Sequence, residues 1–280
     1  MRNAARRGLA VGFFDGVHLG HRAILEGASA ALTFANHPLS TVAPERAPRL
    51  IMSAEDRVAA MRGCGVGKVT VLDFTRELAG MSAEDFARTY LSDLAVDRVV
   101  RCGDNWRFGR GGAGDASLLE SMGFTVEVVP YATYDGGRIS STRVRAAIES
   151  GDVEAANAML GREWSVRGRT FRGKGVGAEL GYPTVNLRLH GVGLDLLRGV
   201  YAVAVDGSRA IANYGVAPTF GDRAWADPAL ELHFTDPMPE SALRDELSVS
   251  FRRFVRPERK FSSKEELAAQ IRADLASVRA

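Results

Sequence analysis

The chain has 280 residues, enough for two ordinary domains, and its 46% hydrophobic and 25% charged residues are typical of soluble globular proteins. Its formal net charge of +2 argues against a dedicated role on nucleic acids or membrane surfaces. No stretch approaches the ~18 apolar residues of a membrane span, and the apolar run after the basic N-terminus is too short for a signal peptide. We therefore expect a cytoplasmic protein in which Cys64 and Cys102 are buried, reduced thiols.

The first half of the chain alternates short apolar runs with helical stretches. Strands are predicted over residues 9–13, 31–34, 68–72, 98–102 and 125–130, and helices over 53–62, 82–94 and 115–122. This alternation predicts a parallel sheet covered by helices on both faces. Ligands of such folds bind beyond the carboxyl ends of the strands, so the segments that follow each strand are the candidates for a site.

Two short helices come next, the first beginning at Ser141 or Thr142 and the second ending at Gly161. We interpret them as a hinge between a domain of residues 1–158 and a domain of residues 159–280. The second domain shows alternating runs at residues 164–170, 200–205, 209–212, 230–234 and 247–251, followed by an amphipathic terminal helix. This pattern predicts a small antiparallel barrel on which the terminal helix packs.

The segment GFFDGVHLGH, residues 12–21, leads from the first predicted strand into a helix. His18 and His21 are three residues apart, so both can face the same side of the helix start. Backbone N–H groups there bind anions, the imidazoles add donors, and glycines let a triphosphate approach closely. The segment predicts attack on an α-phosphate with loss of pyrophosphate, the histidines stabilising charge. The alternative is that both histidines only cap and pack a turn. The phosphate-binding candidates in the segment are Gly12, Phe14, Asp15, Gly16 and Gly20.

Three later segments can reach the same site. TFANHP, residues 33–38, brings His37 to the carboxyl edge of the predicted sheet. CGDNWRFGRGGAGD, residues 102–115, and RISSTRVR, residues 138–145, add polar and basic side chains: Asp104, Asn105, Arg107, Arg110, Arg138, Ser141, Thr142, Arg143 and Arg145. Ser141 or Thr142 alone could be a helix N-cap, but a cap does not account for the arginines around it.

A second group of polar residues lies in the barrel half. Thr184 and Asn186 are two residues apart, so an extended segment places both on one face, where their oxygens could share Mg²⁺ with phosphate. The glycine-rich segment before them predicts a flap over the phosphates, with Gly173, Lys174 and Gly177; a turn-rich region is the alternative. The alternation of LELHF places Glu231 on the face opposite its apolar neighbours. There it is either a base for a substrate hydroxyl or a solvated strand glutamate.

In this order, GFFDGVHLGH, TFANHP, GDNWRFG, RISSTRVR, GYPTVN, GVYAVAV, NYGVAPTF and LELHF resemble the bifunctional riboflavin kinase/FMN adenylyltransferases, the prokaryotic FAD synthetases. The resemblance extends from about residue 9 to the terminal helix. It implies an α/β protein, with an N-terminal Rossmann-like nucleotidyltransferase domain and a C-terminal antiparallel β-barrel of riboflavin-kinase type with a terminal helix. It further implies transfer of the ATP γ-phosphate to riboflavin and transfer of AMP from a second ATP to FMN.

The resemblance also implies roles for single residues. His18, His21, Asn105, Arg138, Ser141 and Thr142 match the adenylyl site, Thr184 and Asn186 the Mg–ATP residues of the kinase, and Glu231 its catalytic base. Arg145, Gly173, Lys174 and Gly177 are further ATP candidates, and His37 and Asp104 are flavin candidates. The expected cofactors and partners are Mg²⁺, ATP as co-substrate, riboflavin, FMN and FAD. Neither nucleic acid nor a membrane is expected, and weak self-association is left open.

One departure from the family pattern motivates an alternative function. Only eleven residues separate His21 from Thr33, where the family usually has a full helix and a strand, so the first helix can hold little more than two turns. The alternative is a riboflavin kinase whose N-terminal domain is weakened or inactive as a transferase. A flavin or nucleotide sensor without turnover, and a nucleotidyltransferase for another phosphate, are further alternatives. Phe13 and Trp106 also depart from the residues usual at their positions.

Overall fold

The computed structural model describes residues 7–171, 183–190, 194–215 and 229–279. The chain divides into two compact units, Met1–Ser141 and Thr142–Ala280, which are described separately below. The predicted domain boundary after residue 158 stays a prediction. Within the described ranges, no helix is long and apolar enough to cross a membrane.

The first unit is built on a parallel sheet of five strands in the order β3-β2-β1-β4-β5. The strands are β1 Leu9–Val11, β2 Ala30–Phe34, β3 Lys68–Leu72, β4 Val99–Gly103 and β5 Thr125–Val129. The predicted parallel sheet is therefore confirmed. β1 ends at Val11 rather than at residue 13, because Phe14 takes a left-handed backbone angle (φ 58°) that no strand can contain.

Helices cover both faces of this sheet. They are α1 Leu19–Leu25, α2 Pro38–Val42, α3 Ala54–Gly63, α4 Arg76–Gly80, α5 over residues 83–94 with a π-helical middle at Ala87–Leu91, and α6 Ala116–Ser121. The side chains of Ser53, Ser82 and Asp115 each accept a backbone N–H at the start of a predicted helix, which is why those starts could be recognised. The short helices α2 and α4 were not predicted. β6 Thr133–Tyr134 and β7 Gly137–Arg138 form a small hairpin.

Two apolar clusters lie on opposite faces of the sheet. Leu9 and Val11 belong to one cluster, with the side chains of α5 and α6, and Ala10 belongs to the other, with those of α1 and α3. Because successive side chains of a strand point to opposite faces, β1 is buried on both sides. Because β1 packs on both faces, the loop that follows it has a well-defined starting point.

The second unit contains a closed antiparallel barrel in the order β10-β11-β12-β9-β8-β13. Its strands are β8 Trp164–Phe171, β9 Thr184–His190, β10 Gly199–Val205, β11 Ser208–Gly215, β12 Ala229–Phe234 and β13 Glu246–Pro257. β13 closes the barrel because it pairs with β8 along its first half and with β10 along most of its length. It runs past the predicted end at residue 251, where its side chains become half-exposed on both faces and the alternation of the sequence fades.

Within the described residues, three α-helices belong wholly or largely to the second unit: α7 Ser141–Glu149, α8 Val153–Leu160 and α9 Lys264–Arg279. On α9, Ile271 and Leu275 pack against Val200 and Ile211, which confirms that the terminal helix covers the barrel. The Asn157 side chain on α8 donates to the Phe251 carbonyl and accepts from the Trp164 N–H, at 2.8 and 2.6 Å. That the α7–α8 pair acts as a hinge stays a prediction.

Candidate active sites

The strand order of the first unit defines where a ligand can bind. β2 pairs with β1 on one side and β4 pairs with it on the other. The order in which strands are added to the sheet therefore reverses between β1 and β4. The crevice at such a switch point lies beyond the carboxyl ends of those two strands. Residues 12–18 follow β1, and Asp104 and Asn105 follow β4. Two segments that are far apart in sequence therefore meet at one edge of the sheet.

The loop after β1 is tightly folded. Phe14, Gly16 and Val17 all have positive φ angles, of 58°, 82° and 43°, and the Val17 N–H closes a turn on the Phe14 carbonyl at 3.0 Å. Only glycine accepts this region of backbone space freely, and a buried β-branched residue there is strained. Strain of this kind persists where the surroundings fix the chain, and it is concentrated at functional sites.

The buried carboxylate of Asp15 is one of the groups that fix this loop. Both of its oxygens accept the Ile51 N–H, at 3.1 and 3.2 Å, and its carbonyl accepts the Ser141 hydroxyl at 2.9 Å. The Phe13 carbonyl accepts the Thr33 hydroxyl at 2.9 Å. Asp15 and Ser141, predicted to bind ATP, thus hold the loop in this structure, and their contact with nucleotide stays a prediction.

The two histidines of the loop form one stacked pair. His18 is the N-cap of α1, and its Nδ1 accepts the His21 N–H at 3.3 Å. The two rings are parallel, with centroids 3.6 Å apart, and Phe14 packs edge-on against His21 at 5.3 Å. Because His18 Nδ1 is an acceptor, the proton of its neutral ring lies on Nε2. The predicted cap and the predicted proximity of the histidines therefore occur together.

Burial lowers the pKa of His21 well below its ordinary value, and the neighbouring His18 lowers it further. His21 is consequently neutral near pH 7 and can donate only one hydrogen bond from its ring. Its Nδ1 is buried and has no hydrogen-bond partner within the part of the chain that the structure describes. A neutral imidazole pair stabilises developing charge by hydrogen bonding without adding a full positive charge.

The helix that carries His21 is short, as predicted, and has an anchor at its far end. α1 spans seven residues, Leu19–Leu25. Arg101 on β4 donates from Nε to the Ile24 carbonyl at 3.0 Å and from Nη2 to the Ala23 carbonyl at 3.4 Å, and it also pairs with Glu127. A cation at the C-terminus of a helix satisfies its last carbonyls. Arg101 therefore stabilises α1 in place of further helical turns.

Asp104 and Arg138 contact each other. The guanidinium donates through both terminal nitrogens to the carboxylate, at 2.5 and 3.1 Å, and lies 5.0 Å from the centre of the Tyr131 ring. Asn105 beside them is exposed. The structure thus joins a predicted flavin residue and a predicted ATP residue into one bidentate ion pair at the mouth of the crevice.

His37 lies at the end of β2, on the side of β1 away from β4. Its Nδ1 accepts the Leu39 N–H at 3.1 Å, so it caps α2, and its ring forms a T-shaped contact with Phe13, with centroids 4.8 Å apart. Of the remaining adenylyl candidates, Thr142 and Arg145 lie on α7 in the second unit. The sequence did not single out a residue next to Phe13, the fully buried Arg57, because arginines on a helix are normally exposed.

In the barrel, strand register brings the kinase candidates together. Glu231 on β12 is directly opposite Asn186 on β9 and Asn213 on β11, and His233 is opposite Thr184. Directly paired residues point to the same face of a sheet, so all five side chains share one face. Thr184, Asn186 and Glu231 are therefore neighbours, as predicted. Asn213 was not predicted, because nothing in the sequence of its own segment indicates which residue it faces.

The Glu231 side chain is only partly exposed to solvent. Burial raises its pKa above the ordinary value, and a hydrogen bond with the Thr184 hydroxyl partly offsets that rise. The neighbouring His233 is 6% exposed, and burial lowers its pKa to about 4, with the Asp274 carboxylate of α9 opposing the shift. The site thus contains one carboxylate of raised basicity and one neutral imidazole. Gly173, Lys174 and Gly177 lie outside the described residues.

Two family models match the chain. An FAD synthetase model matches residues 2–143, and a riboflavin kinase model matches residues 160–280. The bifunctional riboflavin kinase/FMN adenylyltransferase of Pseudomonas fluorescens is 36% identical over 96% of this chain and 91% of its own length. The enzyme of the same description from Escherichia coli K12 is 33% identical over 95% and 90%. The chain belongs to this family.

The family assignment decides between the alternatives that the sequence left open. Both the FAD synthetase and the riboflavin kinase regions are present, so the chain is a bifunctional transferase of FMN and FAD biosynthesis rather than a kinase alone. A solved structure described as a macrolide-efflux protein from Streptococcus pneumoniae also matches it. The TM-score is 0.85, with 27% identity over 99% of this chain and 95% of the other. We take from that likeness the fold.

Proposed function

We propose that the barrel phosphorylates riboflavin to FMN at Glu231 and that the parallel-sheet unit adenylylates FMN to FAD at His18 and His21. ATP is the co-substrate of both steps. The observation that carries the proposal is the contrast between the two sites: a partly exposed carboxylate of raised pKa on one face of the barrel, and a stacked histidine pair with a neutral His21 in the loop after β1. The first suits a substrate that must lose a proton, and the second a substrate that is already an anion.

In the kinase step, the ribityl hydroxyl of riboflavin attacks the γ-phosphorus of ATP. Its proton passes to Glu231, the bond from the γ-phosphorus to the bridging oxygen breaks, and ADP leaves. A hydroxyl is a weak nucleophile near pH 7, so a base whose pKa is raised by burial is effective once ionised. The Thr184 hydroxyl donates to that carboxylate and fixes its orientation.

Thr184 and Asn186 fit a magnesium ion by the chemistry of their oxygens. A hydroxyl and an amide carbonyl are hard, uncharged ligands, and register places both on the face that holds Glu231. A hydroxyl has one donor and two lone pairs, so Thr184 can donate to Glu231 and still offer an oxygen to a cation. Mg²⁺ bound there would neutralise charge on the phosphate oxygens of ATP. Gly173, Lys174 and Gly177 are proposed to cover those phosphates.

In the adenylyl step, a phosphate oxygen of FMN attacks the α-phosphorus of ATP and pyrophosphate leaves. No proton has to be removed from the nucleophile. His18 and His21 donate hydrogen bonds to the phosphates as charge develops, with Gly12, Phe14, Gly16 and Gly20 shaping the loop around them. Asn105, Arg138, Ser141, Thr142 and Arg145 are proposed for the rest of the nucleotide, and His37 and Asp104 for the flavin. A cytoplasmic location stays a prediction, as do weak self-association and the lack of a nucleic-acid partner.

The test is to incubate the purified chain with riboflavin, ATP and Mg²⁺ and to resolve the flavins by chromatography. We expect FMN first and then FAD, and we expect FAD and pyrophosphate directly when FMN replaces riboflavin. FMN without FAD would refute the adenylyl assignment. FAD from supplied FMN, with no phosphorylation of riboflavin, would refute the kinase assignment. Omitting Mg²⁺, with a chelator present, should abolish FMN formation.

A further inference from the structure

Arg57 is an arginine buried completely inside the first unit. It lies on α3, its residue is 0% exposed, and its Nε and Nη1 have no hydrogen-bond partner within the described ranges of the chain. Burying a guanidinium costs free energy unless each of its donors is satisfied. Burial lowers the pKa of Arg57, which the Asp15 carboxylate partly offsets. An apolar side chain of similar length would avoid this cost, so the charge at this position requires an explanation.

The hydrogen bonds and the ring contact of Arg57 lie at the carboxyl edge of the sheet. Its Nη2 donates to the Phe34 carbonyl and, at 3.3 Å, to the Ala35 carbonyl, where β2 ends. Its guanidinium carbon lies 4.2 Å from the centre of the Phe13 ring, where the chain leaves β1. A guanidinium over an aromatic face is attracted by the ring, and more strongly when both are desolvated. One side chain therefore fixes the exits of two neighbouring strands.

His37 lies between these two groups of contacts. It follows Ala35 by two residues, and its ring packs against the Phe13 ring in a T-shaped arrangement, with centroids 4.8 Å apart and an interplanar angle of 80°. Arg57 thus acts on His37 from two directions, through the backbone that precedes it and through the ring against which it packs. Neither His18 nor His21 takes part in the contacts of Arg57 described above, although the Asp15 carboxylate, which raises the pKa of Arg57, holds the same loop.

We propose that Arg57 is a positioning residue for the flavin half of the adenylyl site, which it sets by holding Phe13 and the end of β2 around His37. The proposal rests on the proposed function, in which the first unit joins FMN to AMP and His37 contacts the flavin. Arg57 touches no substrate in this arrangement. Its loss weakens FMN binding in the adenylyl step more than it slows the transfer itself, because His18 and His21 keep their places.

The test compares Arg57→Met and Arg57→Lys in the full chain, with the kinase activity of the same molecules as an internal control. Arg57→Met should raise the KM for FMN in FAD formation about tenfold, which corresponds to about 1.4 kcal/mol. The KM for ATP and the kcat should change by less than about threefold, a difference below ~0.7 kcal/mol. Arg57→Lys keeps a cation over the Phe13 ring and should recover most of the loss. FMN formation from riboflavin should equal that of the unchanged chain in both variants.

Phe13→Leu is the second variant, for the case in which Arg57→Met does not fold. It keeps an apolar side chain but removes the ring between Arg57 and His37, and it should raise the KM for FMN in the same direction. Adding it to a folded Arg57→Met chain should cost little more, because both changes break the same connection. An unchanged KM for FMN in folded Arg57→Met, or in Phe13→Leu, would overturn the proposal. So would equal changes in the KM for ATP and in kcat, which indicate a general loss of structure. If the unchanged chain forms no FAD from FMN, the proposed function fails instead.

Discussion

The two proposed active sites of this protein are supported in different ways. The barrel site lies on neighbouring strands, where the register of β9, β12 and β11 alone places Asn186, Glu231 and Asn213 side by side. The adenylyl site lies on a loop with three positive φ angles and on a helix of seven residues. Sites on strands are held by the sheet, whereas a site on a loop needs further contacts to hold it.

Those further contacts explain much of the polar interior of the first unit. The Asp15 carboxylate accepts the Ile51 N–H, the Thr33 hydroxyl donates to the Phe13 carbonyl, and Arg101 donates to a carbonyl at the end of α1. Each of these contacts fixes a part of the loop or its helix. The difference between the sites also follows their chemistry. A phosphate nucleophile needs donors arranged around it, and a hydroxyl nucleophile needs one base held at one place.

The largest expected effect is that of Glu231→Gln. Removing the base should lower FMN formation from riboflavin by about 10²- to 10⁴-fold, because the ribityl hydroxyl then loses its proton acceptor. FAD formation from supplied FMN should be unchanged, since that nucleophile is already ionised. Both rates are measured by chromatography on the same preparation. Glu246→Gln is the matched control, a half-exposed glutamate on β13 that should leave both rates as they are. Full kinase activity in Glu231→Gln would exclude the base assignment.

His21→Ala should have the opposite selectivity. It removes one donor of the stacked pair, and FAD formation from FMN should fall by about 10²- to 10³-fold, the cost of one donor to a developing charge. FMN formation should persist. His190→Ala, which changes a half-exposed histidine on β9, is the control for loss of an imidazole. If His21→Ala stopped both steps, the assignment of two separate sites would be wrong.

These two variants test assignments that the sequence could support, because both rest on short-range patterns. The alternation of LELHF and the spacing of Thr184 and Asn186 depend only on the period of a strand, and the barrel has that period. The His18 cap depends on a local turn. Strand starts and capped helices were recognisable for the same reason.

The rest of the structure depends on contacts between distant parts of the chain. Nothing local to Asn213 indicates that it faces Glu231, and nothing near Arg57 indicates that the helix buries it under Phe13. The Asp104–Arg138 pair joins residues 34 positions apart through β4 and the hairpin. β11 is buried on both faces where α9 covers it, so its sequence lacks the alternation by which its full length could be recognised.

The third prediction concerns the stability of the barrel site. The pKa of His233 is about 4 in the folded barrel, against 6.5 for the free side chain. Below pH 6.5 the unfolded chain binds a proton that the folded chain does not bind until about pH 4. Folding is therefore favoured fully above pH 6.5 and loses up to about 3 kcal/mol as the pH falls from 6.5 to 4.

Urea unfolding followed by circular dichroism at pH 7 and pH 5 measures this loss. His233→Gln should reduce the difference between the two pH values, because glutamine does not titrate. His190→Gln, the half-exposed histidine of the same barrel, serves as the control. An equal pH dependence in His233→Gln and in the unchanged chain would show that other groups cause it.

A smaller effect is expected from Arg101→Gln, which weakens the anchor of α1. Losing a charged donor to the Ile24 carbonyl should cost about 2 kcal/mol of stability around the adenylyl loop. FAD formation should therefore be lost at a lower temperature than in the unchanged chain, while FMN formation keeps its own midpoint. Arg7→Gln is the control, since Arg7 contacts Glu127 from an exposed position and does not touch α1. Parallel loss of both activities would mean that Arg101 supports the whole chain rather than this helix.

The smallest effect should come from Asp104→Asn. The ion pair of Asp104 with Arg138 is about one-third exposed on each side, so its loss should change the free energy of unfolding by at most about 1 kcal/mol. Although this substitution should weaken stability slightly, it should improve the binding of ATP. Arg138 no longer has to leave a carboxylate before it meets a phosphate, so the KM for ATP in FAD formation should fall, by at most about fivefold. This is measured with FMN supplied and riboflavin absent. An increase in the KM for ATP would mean that Asp104 holds Arg138 in the orientation that binds nucleotide. The exposed edge of the adenylyl site would then be preorganised, as the barrel site is.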